Sequence, residues 1–145
     1  MNGGPTAQPE CPPRWQVHLR QLEAAFAAGD VRGVVRAWHA ASLAARAAPD
    51  WRGVLAVGTA ALRVGRATGR VALFGAEARQ ALSVAAFRAH RGRSLEGLRQ
   101  VEAAFAALGD HQAALECRRL AEALESADGD DPALGDAPFP GPAGP

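Results

Sequence analysis

Apolar side chains recur every three or four positions through the middle of this 145-residue chain, which is the spacing of one face of an α-helix. The strict alternation of apolar and polar positions that marks a half-buried strand is absent. We expect these positions to face a core: Val31, Val34, Val35, Trp38 and Ala41; Trp51, Val54, Leu55, Gly58 and Leu62; Phe74, Ala78, Leu82 and Ala85; and Leu95, Leu98, Val101, Phe105 and Leu108. We also expect core positions, rather than a cofactor site, for the aromatic residues at helical spacing, which are Trp38, Trp51, Phe74, Phe87 and Phe105.

Helix-breaking residues interrupt this pattern at nearly even intervals. They predict six helices, at residues 14–28, 30–48, 50–67, 70–91, 94–108 and 110–127. Residues that accept hydrogen bonds from the first turn of a helix stand at four of the starts, namely Asp30, Asp50, Ser94 and Asp110. Glycines suited to a left-handed helix end precede three starts, at Gly29, Gly69 and Gly109. Gly58 and Gly65 inside the third helix predict a close helix crossing, with an earlier helix end at Gly65 as the alternative.

The prolines outline the domain organisation. Nine of the ten lie within residues 1–13 or 132–145, and proline is poorly tolerated inside helices. The sequence therefore predicts a disordered segment at 1–13, a helical body at 14–127, and a disordered, acidic tail rich in Pro and Gly at 128–145.

Two matching segments indicate an internal repeat. "LEAAFAAGD" begins after Gln21 and "VEAAFAALGD" after Gln100, a separation of 79 residues, or two units of about 40. The helices then form three pairs, at 14–48, 50–91 and 94–127. We expect an all-α fold in which three antiparallel helix pairs stack with a right-handed sense as an α-solenoid. The alternative is an Ala-rich six-helix bundle in which one segment recurs by accident.

The last helix pair resembles the tetratricopeptide repeat between Leu98 and Leu124. The matching positions are Leu98, Val101, Ala104, Phe105, Gly109, Asp110, Ala114, Leu115, Ala121 and Leu124. The chain departs from the family pattern where Glu102 replaces a small residue, Arg118 replaces a large aromatic residue, and Ser126 replaces a closing proline. The resemblance implies a scaffold that holds a peptide or helix of another protein in a groove lined by the first helix of each pair.

Charge is strongly polarised along the chain. Residues 32–93 hold eleven arginines and two acids, a net charge of +9, whereas residues 94–136 hold three arginines and ten acids, a net charge of −7. Three interpretations of the basic middle stay open: a solvated face balanced by the acidic end, a site for an acidic peptide, and a nucleic-acid surface. For the acidic peptide, the candidate partner-binding residues are Arg52, Arg63, Arg66 and Arg99. The acidic tail is a further candidate to fold back on the basic middle, through Asp128, Asp130, Asp131 and Asp136.

Catalytic, metal and cofactor motifs are absent from the sequence. Cys11 and Cys117 lie too far apart for a metal-ligand spacing, and the four histidines fall on four different predicted helices. No apolar run reaches the roughly 18 residues of a membrane span, and no secretory signal opens the chain. We therefore expect a cytoplasmic protein with no enzymatic activity, cofactor or metal, which acts as an adaptor that binds another protein. The alternative function is a self-associating helical bundle that contacts nucleic acid through its arginines.

Overall fold

The computed structural model describes the backbone of residues 11–135 and the side chains of residues 11–128. Within that range the chain forms six α-helices and no strand. The helices are α1 (Arg14–Ala27), α2 (Val31–Ala47), α3 (Arg52–Thr68), α4 (Val71–Arg91), α5 (Leu95–Leu108) and α6 (His111–Gly135). The predicted all-α fold and the number of helices are confirmed. The disorder predicted for residues 1–10 and 136–145 lies outside the described residues.

The turns inside the three helix pairs are alike and recur every 40 residues. Each contains a glycine with a positive φ, at Gly29, Gly69 and Gly109. After each glycine, a backbone N–H donates 2.9 Å back to a carbonyl near the end of the preceding helix, from Asp30 to Ala25, from Arg70 to Gly65 and from Asp110 to Phe105. Glycine favours this turn because it has no Cβ to clash in the left-handed region. The spacing between these turns agrees with the unit length of about 40 residues that the sequence predicted.

Three of the four predicted N-caps are confirmed. The side chains of Asp30, Ser94 and Asp110 each accept a hydrogen bond from a backbone N–H three residues later, at 2.9 to 3.1 Å. Asp50 lies one residue before the cap, because Trp51 is the N-cap of α3, and its side chain accepts from the Arg52 N–H at 3.0 Å.

Each helix packs against the next one along the chain, so that the helices form three pairs joined in series. Helix α3 also touches α1 and α5, and α4 touches α6. Within the described residues, α1 does not reach α6, and no α-carbon of α2 lies within 8 Å of one of α4. This neighbour-to-neighbour order is compatible with a stack of helix pairs.

One core of buried apolar side chains runs through all six helices. Most of the predicted core positions belong to it, but Val31 and Phe87 do not, with 47% and 64% of their surfaces exposed. Phe87 follows the buried Ala85 by two residues, which is about 200° around a helix, so it points away from the core. Val31 lines an open depression between α2 and α4, so no neighbouring helix covers it.

Neighbouring helices approach each other closely where one of the two has a glycine. A Cβ built at Gly58 of α3 would lie 3.2 Å from Ala81 Cβ, and one at Gly65 would lie 3.0 Å from Phe74 Cβ. The predicted close crossing is confirmed, and the alternative of an early helix end at Gly65 is wrong, because α3 continues to Thr68. A Cβ at Gly97 of α5 would lie only 2.8 Å from the side chains of Ala89 and Trp51.

The last helix is longer than predicted. Instead of ending at 127, α6 continues to Gly135 and includes Pro132, a residue that helix interiors disfavour. Extending an existing helix orders only one residue for each new hydrogen bond, whereas starting a helix orders several residues at once. Lengthening α6 beyond residue 127 therefore costs less free energy than the composition of residues 128–135 suggests.

Arg88 of α4 holds the end of α2 and the turn that follows it. Its guanidinium group donates to the carbonyl oxygens of Ala45, Arg46, Ala48 and Asp50, at distances of 2.6 to 3.1 Å. The last carbonyls of a helix lack partners within the helix and carry a partial negative charge, so a cation at this position satisfies them. Arg88 thereby links the first helix pair to the second.

Replacing Gly97 by alanine is expected to destabilise the protein by about 1–3 kcal/mol, because the new methyl group has no room beside Ala89 and Trp51. Gly75 of α4 is the matched control. A Cβ there meets nothing within 4 Å, so Gly75→Ala should stabilise the protein by about 0.5–1 kcal/mol through helix propensity. Urea denaturation followed by circular dichroism measures both values, and equal effects of the two substitutions would contradict the close packing at Gly97.

Replacing Arg88 by methionine is expected to lower the free energy of unfolding by about 1–3 kcal/mol, since helix-end carbonyls lose their donors while the aliphatic stem is kept. The control is Arg91→Met, at an exposed arginine in the same helical turn with no hydrogen bond or ion pair among the described side chains. It should change stability by less than about 0.5 kcal/mol. Similar losses in both variants would show that the positive charge near the end of α4, rather than the hydrogen bonds to α2, supplies the stability.

Candidate partner-binding grooves

The first helices of the pairs, α1, α3 and α5, form the face on which the tetratricopeptide resemblance placed a groove. Two shallow depressions lie there. One, of about 340 Å³, lies between α1 and α3 and includes Arg63, and the other, of about 600 Å³, lies between α3 and α5 and includes Arg52. Ala56 and Thr59 line both depressions, so the two adjoin. Arg66 and Arg99 line neither.

Arg63 is held by a carboxylate of its own chain. Both of its terminal nitrogens donate to Glu23 of α1, one of them at 3.0 Å, and its guanidinium carbon lies 4.3 Å from the centre of the Phe26 ring. The hydrogen bonds from Arg63 hold the pKa of the Glu23 carboxyl below its usual value, and the same hydrogen bonds raise the pKa of Arg63. An incoming carboxylate would have to compete with Glu23 for this arginine.

Two more of the predicted arginines have acidic partners within the chain. Arg52 lies 3.7 Å from Asp50 and stacks over the Trp51 ring at 4.6 Å. Arg99 lies 3.4 Å from Glu102 and 2.8 Å from Glu125 of α6. Arg66 is exposed and has no ion pair among the described side chains. The fold therefore does not bring the four predicted arginines into one site.

Two of the three departures from the tetratricopeptide pattern are partners of each other. Arg118 of α6 donates to Glu102 of α5 at 2.8 Å, across the last helix pair. At the two positions where the tetratricopeptide pattern has a small and an aromatic residue, this chain therefore has an ion pair, which Arg99 extends to Glu125.

Another groove lies on the opposite layer, between the second helices α2 and α4. It has a volume of about 620 Å³. Its floor contains the buried rings of Trp38 and Phe74, packed edge to face with their centres 5.2 Å apart, and the half-buried Val35. Val31 and Leu73, which are 47% and 52% exposed, form its apolar edges. The apolar surface that the groove exposes to water therefore belongs mainly to Val31 and Leu73, with part of Val35.

The groove extends towards the other end of α2. A second depression of about 300 Å³ shares Trp38, His39 and Glu77 with the first and reaches Leu43, which is 73% exposed. Together the two depressions follow α2 from Val31 to Arg46. At a rise of about 1.5 Å per residue, this stretch is roughly 22 Å long.

The charges around this α2–α4 groove are mostly positive. Arg32, Arg36 and Arg70 line it, and none of them has an ion pair among the described residues. Its one acidic lining residue, Glu77, lies 3.9 Å from Arg46. Arg70 is also the N-cap of α4 and supplies no side-chain acceptor, so the first N–H groups of α4 keep their partial positive charge.

Sequence reasoning missed the α2–α4 groove, although two signals pointed to it. The apolar stripe of α2 is wide, since Val31 and Val35 lie beside the buried Val34 and Trp38. Arg32 and Arg36 are separated by four residues and so lie on the same side of α2. The first signal led to a prediction that Val31 is buried, because a sequence pattern cannot tell a covered apolar face from one at an open groove.

The acidic tail meets the basic middle at one described contact. Asp128 lies 3.2 Å from Arg93, the last arginine of the basic middle, at the turn between α4 and α5. The side chains of Asp130 and Asp131 and the whole of Asp136 lie outside the described part of the chain.

Residues 11–128 contain no cluster of His, Cys, Asp and Glu side chains arranged to hold a metal ion, and every buried polar side-chain atom among them has a hydrogen-bond partner. The Cys117 thiol is buried, and this burial, together with the nearby Glu102 and Glu116, raises its pKa to about 11. Of the helices described, none combines the length and apolarity that crossing a bilayer requires.

Comparisons with known proteins gave no match, whether the chain was compared with protein-family models, with curated sequences or with solved structures. The tetratricopeptide resemblance stays a prediction.

Cys11 and Cys117 are expected to differ sharply in thiol reactivity. At pH 8, Ellman's reagent should modify the exposed Cys11 and leave Cys117 intact, because a buried thiol with a raised pKa offers almost no thiolate. Both should react after unfolding in guanidinium chloride. The Cys11→Ser variant is the control, and rapid modification of this variant in its folded state would contradict the burial of Cys117.

Proposed function

We propose that this protein is a non-enzymatic interaction module that binds a segment of another protein in the α2–α4 groove. The observation that carries the proposal is the combination of an uncovered apolar groove with three arginines that have no acidic partner among the described residues. Ligand-binding grooves commonly have this character, in which apolar contact supplies affinity and a few charged groups set orientation.

The exposed apolar side chains around α2 and α4 support the choice of this surface. Val31, Leu43, Val71 and Leu73 are all between 47% and 73% exposed. Single exposed apolar residues are common on protein surfaces, but neighbouring ones beside a groove are typical of a docking site. Burial of such side chains by a partner would remove apolar surface from water, at about 25 cal/mol per Å².

The distribution of ion pairs supports the same choice. On the first-helix face, Arg52 and Arg63 already have carboxylate partners, Asp50 and Glu23, and among the described residues Arg20 is the one arginine lining its depressions that has none. An exposed ion pair contributes little to stability, about 0–1 kcal/mol, but a ligand must displace it before it can use the arginine. Arg32, Arg36 and Arg70 require no such displacement.

The tetratricopeptide resemblance supports the general role but favours a different binding surface. It favours a scaffold that holds a peptide or helix of a partner, on the first-helix face. We place the binding surface instead between the second helices, where Arg32, Arg36 and Arg70 line the groove without an acidic partner among the described residues. The role as an adaptor in the cytoplasm remains part of this proposal.

Affinity capture from cells that express the protein tests the proposal. The tagged full-length chain should retain a partner that Arg32→Ala/Arg36→Ala/Arg70→Ala loses, because these arginines lie beside the apolar floor. The matched variant replaces Arg52, Arg63, Arg66 and Arg99 by alanine, and it should retain the partner. Thermal melts establish that both variants fold.

The opposite pattern would contradict the α2–α4 groove and favour the first-helix face. A partner that neither variant loses would contradict both surfaces. Binding of the chain to short DNA or RNA duplexes that weakens steeply with salt, with no protein partner, would replace the proposal by the nucleic-acid alternative.

A further inference from the structure

We infer that the occupant of the α2–α4 groove is an acidic amphipathic α-helix of a partner protein. The inference rests on the proposed function and adds the secondary structure and the charge of the bound segment. Both follow from the shape, the walls and the charges of the groove.

The space between α2 and α4 suits a helix. The second helices α4 and α6 pack against each other, whereas α2 and α4 are separated by more than 8 Å at every pair of described α-carbons. The rings of Trp38 and Phe74 fill only the floor of this gap. The groove length of roughly 22 Å corresponds to about four turns of a helix.

The walls of the groove favour a helix over an extended peptide. Both walls are α-helices, whose backbone N–H and C=O groups are already paired within each helix. An extended segment buried there would find few backbone partners, and an unpaired buried polar group is costly. A helix satisfies its own backbone and presents only side chains, as in the helix-in-groove mode of recognition.

Apolar side chains on one stripe of the bound helix would contact the floor. Leu73, Phe74 and Glu77 of α4 are within one turn of each other, and Val31, Val35 and Trp38 of α2 follow helical spacing on the facing wall. A ligand helix with apolar residues at positions i, i+3 or i+4, and i+7 would place successive side chains along this floor.

The charges select an acidic helix. Arg32 and Arg36 are one turn apart on α2, and Arg70 lies at the start of α4 across the groove. Guanidinium groups bind carboxylates through two parallel hydrogen bonds, and the partial positive charge at the N-terminus of α4 adds to their attraction. A basic helix would meet three arginines with only Glu77, itself paired with Arg46, to offset them.

Designed peptides of roughly 18 residues test this inference directly. The probe is a fluorescein-labelled peptide with leucines on one helical stripe and glutamates on both flanks, and its binding to the full-length protein is measured by fluorescence anisotropy. The controls are a scrambled peptide of equal composition, a peptide with arginine in place of glutamate, and one with a central proline. We expect each control to bind about tenfold or more weakly than the probe.

Variants locate the binding. Arg32→Glu/Arg36→Glu/Arg70→Glu should lower the affinity for the probe by about tenfold or more, because the groove then repels the glutamates of the peptide. Arg14→Glu/Arg20→Glu/Arg91→Glu changes the net charge equally at exposed positions outside the groove, and should change affinity by less than about twofold. Leu73→Ser should weaken binding of the probe, whereas Phe87→Ser, at an even more exposed residue of α4 outside the groove, should not.

Four results would overturn the inference. They are equal binding of the acidic and basic peptides, equal binding of the scrambled peptide, equal losses in the two arginine triples, and concentration-dependent self-association that the groove triple abolishes. The last would make a second copy of the chain the occupant. If the groove triple loses its cellular partner but the probe does not bind, the inference is wrong and the proposed function stands. If capture is also unaffected, both fail.

Discussion

The close approach of α3 to its neighbours is the constraint on which the rest of the structure depends. Gly53 lies against the Trp15 ring of α1, Gly58 against Leu82 of α4, and Gly65 against Phe74 of α4. Each glycine lowers the helix propensity of α3 by about 1 kcal/mol relative to alanine, and the packing made possible by its missing side chain offsets this loss. Since α3 touches α1, α2, α4 and α5, its backbone position sets the spacing of both layers.

In the layer of the second helices, large side chains keep neighbouring helices apart. The indole of Trp38 donates from Nε1 to the Val57 carbonyl of α3 at 3.0 Å, and it packs on Phe74 of α4. These two buried rings occupy the floor between α2 and α4 and hold the two helices apart. The groove is therefore a consequence of core packing, and its floor is rigid because buried rings form it.

The partners of the arginines are also distributed unevenly over the molecule. Elsewhere, several arginines pair with acids that lie far away in sequence, such as Arg63 with Glu23, Arg79 with Asp110 and Arg93 with Asp128, although Arg66 and Arg91 have no ion pair among the described residues. Arg88 is satisfied instead by the carbonyls at the end of α2. Beside the groove, Arg32, Arg36 and Arg70 have neither kind of partner among the described residues. The net charge of the basic middle is thus much less informative than the positions of these three side chains.

The sequence alone determined the six helices, three of their N-caps and the 40-residue unit, because these depend on hydrogen bonds and backbone preferences within a few residues, as at Gly29, Ser94 and Gly109. It also determined most of the core, through helical spacing, and the close crossing at Gly58 and Gly65. Only the tertiary structure decided that Val31 stays exposed, that Arg52, Arg63 and Arg99 are paired, and that α2 and α4 enclose a groove. These outcomes depend on distances between helices, and those distances are set by side chains that meet only after the chain has folded.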